Sequence, residues 1–371
     1  MPGSLYTKSA VDFAGGAGRL AGDRWTPDGP SRGVVLLLHG GGQTRHSWRE
    51  AGRTLAEDGW TAIAIDFRGH GDSDQAADGR YRVDAMAEDV LRVIDAIGEP
   101  PVIIGASLGG LTGLTIAGEH PGGLRALVLV DAVPMIERTG SSRIFEFMRS
   151  APDGFGSLEE AAEAVRAYQP HRVRPVNLDG MRKNVRLAGD GRWYWHWDPK
   201  MTTQQPDPAE MDRLAARTRA AAAAVRIPVL LVRGKLSDVV SEEGAADLLA
   251  AIPHARYTDV AGTGHMVAGD DNSVFLERVA EFLDSEVLLP GHAASPDSSA
   301  GTSAGAGLGF GRCQNAASCA AAAARPRPAA SPARWAGVSL LSMPRRRSTL
   351  RRPGPIAASA TEAALRFSTY S

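Results

Sequence analysis

Short runs of uninterrupted apolar residues, alternating with segments of helical spacing, restrict this chain to a narrow set of folds. The run at 33–39 (Gly-Val-Val-Leu-Leu-Leu-His) is followed by similar ones at 61–66, 101–106, 124–130 and 228–232. An unbroken apolar run is what a strand covered on both faces of a parallel sheet requires. Residues 47–57 place Trp48, Leu55 and Ala56 on one side of a helix, and 83–97 align Met86, Val90, Val93, Ile94 and Ile97. A further strand at 256–260 precedes a helix at 274–283. The pattern predicts an α/β fold: a mostly parallel sheet with helices on both faces. Right-handed crossovers then bring the strand C-termini to one edge, where sites in such sheets form.

The rhythm changes between Asp131 and Val225. Helical spacing appears at 141–149, 158–168, 176–187 and 208–224, with no buried-strand pattern and a dense aromatic cluster, Trp193-Tyr-Trp-His-Trp197. The expected organisation is a core over 1–133, a helical cap over 134–225 and a second part of the core over 226–289. Trp193, Trp195 and Trp197 can roof a substrate pocket or form the cap's own interior.

A net charge of -1 conceals a second division. Residues 290–371 are rich in Ala, Pro, Ser and Arg and hold ten arginines, no lysine, and only Asp297 and Glu362 as acids. That composition cannot bury enough surface to offset chain entropy, so the tail is expected to be disordered. Its cluster at Arg345, Arg346 and Arg347 reads as a solvated extension in preference to a nucleic-acid contact. Both cysteines, Cys313 and Cys319, lie there, so the core has neither a disulfide nor a thiolate metal site to offer. The start lacks a basic segment leading into an apolar one, and no apolar run approaches the length of a membrane helix. A cytoplasmic protein with no membrane partner is expected.

Gly105-Ala-Ser-Leu-Gly109 matches G-x-S-x-G with a strand before it and a helix after it, which marks Ser107 as a candidate nucleophile. The glycines have a steric cause, since side chains two residues either side of so tight a turn would collide. A serine hydroxyl needs a base to take its proton. In this arrangement the partners follow in the order serine, acid, histidine, which leaves His254 and His265. His254 precedes a strand, at the wrong end of the sheet; His265, in Gly262-Thr-Gly-His265, follows one and is the expected base. His39 reads as framework for the loop Gly40-Gly41-Gly42, and His46, His70 and His196 as surface or framework. Asp238, just past the run at 228–232, is the expected acid, with Asp131 as second choice. The oxyanion donors are expected at the N–H of Leu108 and in the glycine loop, at Gly41 or else Gly42.

These motifs, with Asp66-Phe-Arg-Gly-His-Gly-Asp-Ser73 and with Trp48 beyond His39-Gly40, resemble the α/β-hydrolase superfamily, and within it the cofactor-free haloperoxidase and esterase branch. The resemblance spans about residues 11–283. It implies an α/β-hydrolase fold, no cofactor and no metal, with Ser107, Asp238 and His265 as triad and Gly41 and Leu108 as oxyanion donors. It leaves Asp66 and Arg68 structural. Members with an aspartate nucleophile, the epoxide hydrolases and haloalkane dehalogenases, differ at position 107. Carbon–carbon bond hydrolases tend to carry proline soon after the glycine run, where this chain has Gln43-Thr44. The function implied is hydrolysis of a small or medium carboxylic ester through an acyl-enzyme. Lactone, amide or carbon–carbon bond hydrolysis on the same triad is the alternative, and a slow-turnover ligand-binding receptor is the alternative of a different class.

Overall fold

A computed structural model of the chain describes residues 5–168, 178–203, 207–265, 267 and 273–288. The tail over 290–371, with both cysteines, lies outside the described residues.

The chain opens with two antiparallel strands, β1 (Tyr6–Ala14) and β2 (Arg19–Pro27), then enters the alternating part. This continues through β3 (Val34–Leu38), α1 (Arg49–Glu57), β4 (Thr61–Ile65), α2 (Val83–Ile97), β5 (Val102–Ala106), α3 (Leu108–Glu119) and β6 (Ala126–Val130). Then come α4 (Arg138–Met148), α5 (Leu158–Tyr168), α6 (Leu178–Met181), β7 (Val185–Leu187), β8 (Trp193–Trp195) and α7 (Pro208–Ala224). The last elements are β9 (Val229–Gly234), α8 (Glu242–Ala251), β10 (Arg256–Val260) and α9 (Ser273–Phe282). The main sheet has the order β1-β2-β4-β3-β5-β6-β9-β10, parallel throughout except where β2 meets β1 and β4.

The unbroken apolar runs become β3, β4, β5, β6 and β9, and all five are buried from end to end. Because side chains alternate across a strand, each run feeds two cores. Leu36, Leu38, Ile63, Ile65, Ile103, Leu127, Leu129 and Leu231 join one cluster with Met86, Val90, Val93 and Ile94 of α2. Val35, Leu37, Ala62, Ala64, Ile104, Val128, Val130 and Leu230 join the other, with Leu55 of α1 and Phe275, Val279 and Phe282 of α9. Truncating one of these fully buried leucines to alanine costs about 2–5 kcal/mol, so the double-sided burial secures the sheet edge on which the site is built.

Two features depart from the sequence reading. The hairpin β1–β2 shows no long apolar run, because β1 is mostly exposed and carries Lys8, Ser9 and Asp12. The segment between β6 and β9 is not purely helical either. The helix expected over 176–187 is replaced by the single turn α6 and by β7, which pairs antiparallel with β8. Val185 is buried while Arg186 and Leu187 are exposed. Three residues are too few to distinguish a period of two from a period of 3.6.

Candidate active site

β5 delivers Ser107 at its end, in a backbone conformation that side chains rarely adopt, φ 47° and ψ −112°. The turn is held by the Ser107 N–H donating to Val130 O (3.0 Å) and the Leu111 N–H donating to Ser107 O (2.9 Å). The flanking glycines are sterically required. A Cβ on Gly105 would stand 2.4 Å from the Gly109 carbonyl, and one on Gly109 would stand 2.3 Å from Leu38 O. Leu108 is the first residue of α3, where backbone N–H groups have no partner within the helix and the dipole is positive.

On the neighbouring strand β6, Asp131 repeats the unusual turn at φ 48°. Its carboxylate is buried, and Oδ2 accepts from His265 Nδ1 at 2.6 Å and from Ser237 Oγ at 2.5 Å, while Oδ1 accepts from the Gly234 N–H at 3.0 Å. A carboxylate only accepts, so His265 carries its proton on Nδ1 and leaves Nε2 as the open lone pair.

The acid expected at Asp238 is therefore corrected. Asp238 is ion-paired with Arg143 of α4, with its side chain 41% exposed, and does not bond His265. The reason is the turn after β9: the Ser237 N–H closes it onto Gly234 O (2.9 Å), Ser237 faces Asp131, and the next residue faces outward to α4. Chain order alone admitted both aspartates, since each lies between Ser107 and His265.

The glycine loop lies against Ser107: a Cβ built on Gly40 would sit 3.4 Å from Ser107 Cβ. His39, fully buried, donates from Nδ1 to Gly40 O (2.8 Å) and accepts the Phe67 N–H on Nε2 (3.0 Å). Burial pushes its pKa down to about 4. His70 accepts the Gly42 N–H on Nε2 (3.3 Å), and its pKa falls to about 3, first by burial and then through His39. Both are neutral scaffolding for the loop. The Gly42 N–H is thereby taken by His70.

Ser107, Leu108, His265 and Gly40, Gly41 and Gly42 line one cavity of about 1240 Å³. Its opposite wall comes from the segment between β6 and β9, through Phe147, Met148, Tyr168, Trp195 and Trp197. Trp195 and Trp197 stack at 4.8 Å, with their indole N–H groups donating to Ser150 O (3.2 Å) and Met148 O (3.1 Å). Trp193 does not line the cavity and is corrected on that point. It packs beside Phe155, Leu158 and Met181 in the segment's own small core, with Arg182 over its ring at 5.4 Å. Sequence reasoning missed Ser237 and Phe147. A serine at 237 next to a more conspicuous aspartate carried no signal; Phe147 sat on a correctly expected helix, with nothing to tell which face met the cavity.

The sequence pattern of the alpha/beta hydrolase fold family matches residues 33–271. The chain belongs to that family. This α/β-hydrolase is 30% identical over 278 residues to an esterase of Mycobacterium tuberculosis, covering 72% of the chain and 88% of the esterase. A crystal structure of an esterase from that organism superposes with a TM-score of 0.59 at 29% identity, over 77% of this chain and 93% of the other. The crystal structure of E-2-(acetamidomethylene)succinate hydrolase shares the fold at a TM-score of 0.65 and 22% identity, covering 75% and 100% of the two chains. Among the described residues of the α/β-hydrolase there is no cluster of His, Cys, Asp or Glu able to hold a metal, and no helix long and apolar enough to cross a membrane.

Proposed function

We propose that the protein is a serine esterase in which Ser107 is the nucleophile, His265 the general base and Asp131 the acid that orients it. The observation that carries this reading is the 2.6 Å bond from His265 Nδ1 to Asp131, beside a serine held in a strained strand-to-helix turn on the same cavity. His265 Nε2 takes the Ser107 proton as Oγ attacks an ester carbonyl, and Asp131 stabilises the imidazolium without taking its proton. The tetrahedral oxyanion is met by the Leu108 N–H and the Gly41 N–H, donors fixed in place before charge develops. Collapse breaks the bond to the alkoxy group, which leaves as the alcohol with the proton from His265. Water, deprotonated by the same nitrogen, then attacks the acyl-enzyme and releases the carboxylic acid and Ser107.

Residues 134–225 act as the cap in this reading, with Phe147, Trp195 and Trp197 supplying apolar contact to the substrate. The relatedness to an esterase along most of both chains supports ester over amide or carbon–carbon bond cleavage.

Ser107→Ala tests the proposal. Turnover of 4-nitrophenyl acetate should fall to the background left by binding and oxyanion stabilisation, because triad members act as a unit. A fluorophosphonate should label the wild type at Ser107 and leave the variant unlabelled. Wild-type turnover in Ser107→Ala would reject the scheme.

A further inference from the structure

Among the described residues the cavity is lined by six lysine and arginine side chains, Arg49, Arg82, Lys183, Lys200, Arg213 and Arg217. Arg82 and Arg217 are paired with Glu210 and Glu119. Arg49, from α1, and Lys183, from the turn between α6 and β7, are near enough for the charge of one to act on the other. The turn is pinned: the Lys183 N–H donates to Gly180 O (3.1 Å), the Asn184 N–H to Met181 O (2.8 Å), and Asn184 O accepts the His196 N–H (3.1 Å). Lys183 is therefore presented by a fixed backbone.

Neither cation has a close counter-ion among the described residues. Arg49 approaches only Glu50, at 3.9 Å, and Glu50 is held more tightly by Arg53 at 3.0 Å. Asp23, the carboxylate that acts most on Lys183, is already bound by Lys8 at 2.8 Å, with Arg45 at 3.5 Å and His46 at 3.9 Å. Other cavity-lining acids are engaged as well, Glu210 by Arg82 (2.5 Å) and Asp84 by Arg80 (3.3 Å). The pKa of the Lys183 ammonium is lowered, first by desolvation and then by the positive charge of Arg49 and Lys8. A partly desolvated cation facing like charge is a standing cost that an incoming anion relieves.

We propose that Arg49 and Lys183 form an anion-recognising subsite of this cavity, so that the preferred substrates are esters bearing a carboxylate remote from the reacting carbonyl. This rests on Ser107 being the nucleophile. The subsite acts on substrate selection and takes no part in bond making, and its free energy is expressed as a charge-assisted contact to the substrate carboxylate.

The test compares monomethyl adipate with methyl hexanoate, two esters of equal acyl length differing in the terminal carboxylate, by titrating released acid. The ratio of kcat/KM for charged over neutral ester is expected to be about tenfold or more in the wild type, through KM. That ratio should fall about tenfold in Lys183→Gln and further in Lys183→Glu, and persist in Lys183→Arg. A wild-type ratio near one, or a ratio untouched by Lys183→Glu, would overturn the subsite while fluorophosphonate labelling of Ser107 left the esterase reading standing. Loss of labelling together with loss of both activities would overturn both. If Ser107 is labelled but neither ester turns over, protection from labelling by the two esters measures the same ratio and decides by the same criterion.

Discussion

Replacing Asp131 with asparagine, beside Asp238→Asn as its counterpart, separates the geometry from the chain-order argument. The Asp131 carboxylate accepts three hydrogen bonds, from His265, Ser237 and the Gly234 N–H, and is buried. Asparagine is nearly isosteric, but its NH₂ group cannot accept. If the amide oxygen keeps the Gly234 N–H, the NH₂ takes the place of Oδ2, faces both Ser237 Oγ and His265 Nδ1, and selects the tautomer with the proton on Nε2, where the base is needed. Such a substitution in a serine hydrolase lowers kcat by about 10⁴, equivalent to about 5.4 kcal/mol at 1.36 kcal/mol per factor of ten. Asp238, in contrast, makes one ion pair with Arg143 at an exposed position. Its removal should change stability by less than about 1 kcal/mol and kcat by less than about twofold. The assay is kcat and KM for 4-nitrophenyl acetate on enzyme titrated for active serine, with thermal melting to exclude misfolding. A loss of a thousandfold or more in Asp238→Asn, with Asp131→Asn near wild type, would refute the assignment of the acid from geometry.

Three further outcomes follow from the same arrangement of residues. Gly105→Ala places a methyl group 2.4 Å from the Gly109 backbone, and should lower stability by about 3 kcal/mol or more in a denaturant titration; an unchanged midpoint would show that the turn relaxes. Trp195→Ala should raise KM for longer acyl esters more than for acetate, whereas Trp193→Ala should lower the melting temperature with no change in chain-length preference; the reverse pattern would exchange their roles. Acid should destabilise the fold between about pH 6.5 and 4. His39 is held neutral, with its pKa lowered to about 4, so within that window the unfolded chain binds a proton that the folded one refuses, and stability falls as pH falls. The loss from His39 alone reaches about 3 kcal/mol, and a melting temperature flat from pH 7 to 4 would exclude it.

The parts legible in the sequence were those enforced by strong local physics. An unbroken apolar run such as Val34–Leu38 has few options other than a strand covered on both sides, and a serine between two sterically required glycines has few options other than a tight turn. Asp131 against Asp238 was a different kind of question. Both lie beyond strand ends, both come after Ser107 and before His265, and only the direction of the turn Gly234–Ser237 decides which one meets the imidazole. The same holds for Trp193 and Trp195. They share a three-residue strand, yet Trp195 reaches the cavity through its stack on Trp197, and Trp193 is kept back by Phe155 and Arg182. The hairpin β1–β2 was missed because its order derives from pairing along the edge of β4, and pairing leaves little trace in a half-exposed sequence.

Ala106 and Val130 are direct neighbours in the ladder between β5 and β6, so Ser107 and Asp131 are the next residues along two adjoining rungs, each turning with the same positive φ. Their spacing is thus inherited from the pitch of the sheet. The segment 134–225 leaves the sheet only three residues after Asp131 and returns ahead of β9. Exchange of that whole segment, as by recombination, would replace Phe147, Trp195 and Trp197 on the cavity wall while Ser107 and Asp131 stay in register. Diversification and conservation can thus act on adjoining stretches of one polypeptide without contending for the same residues.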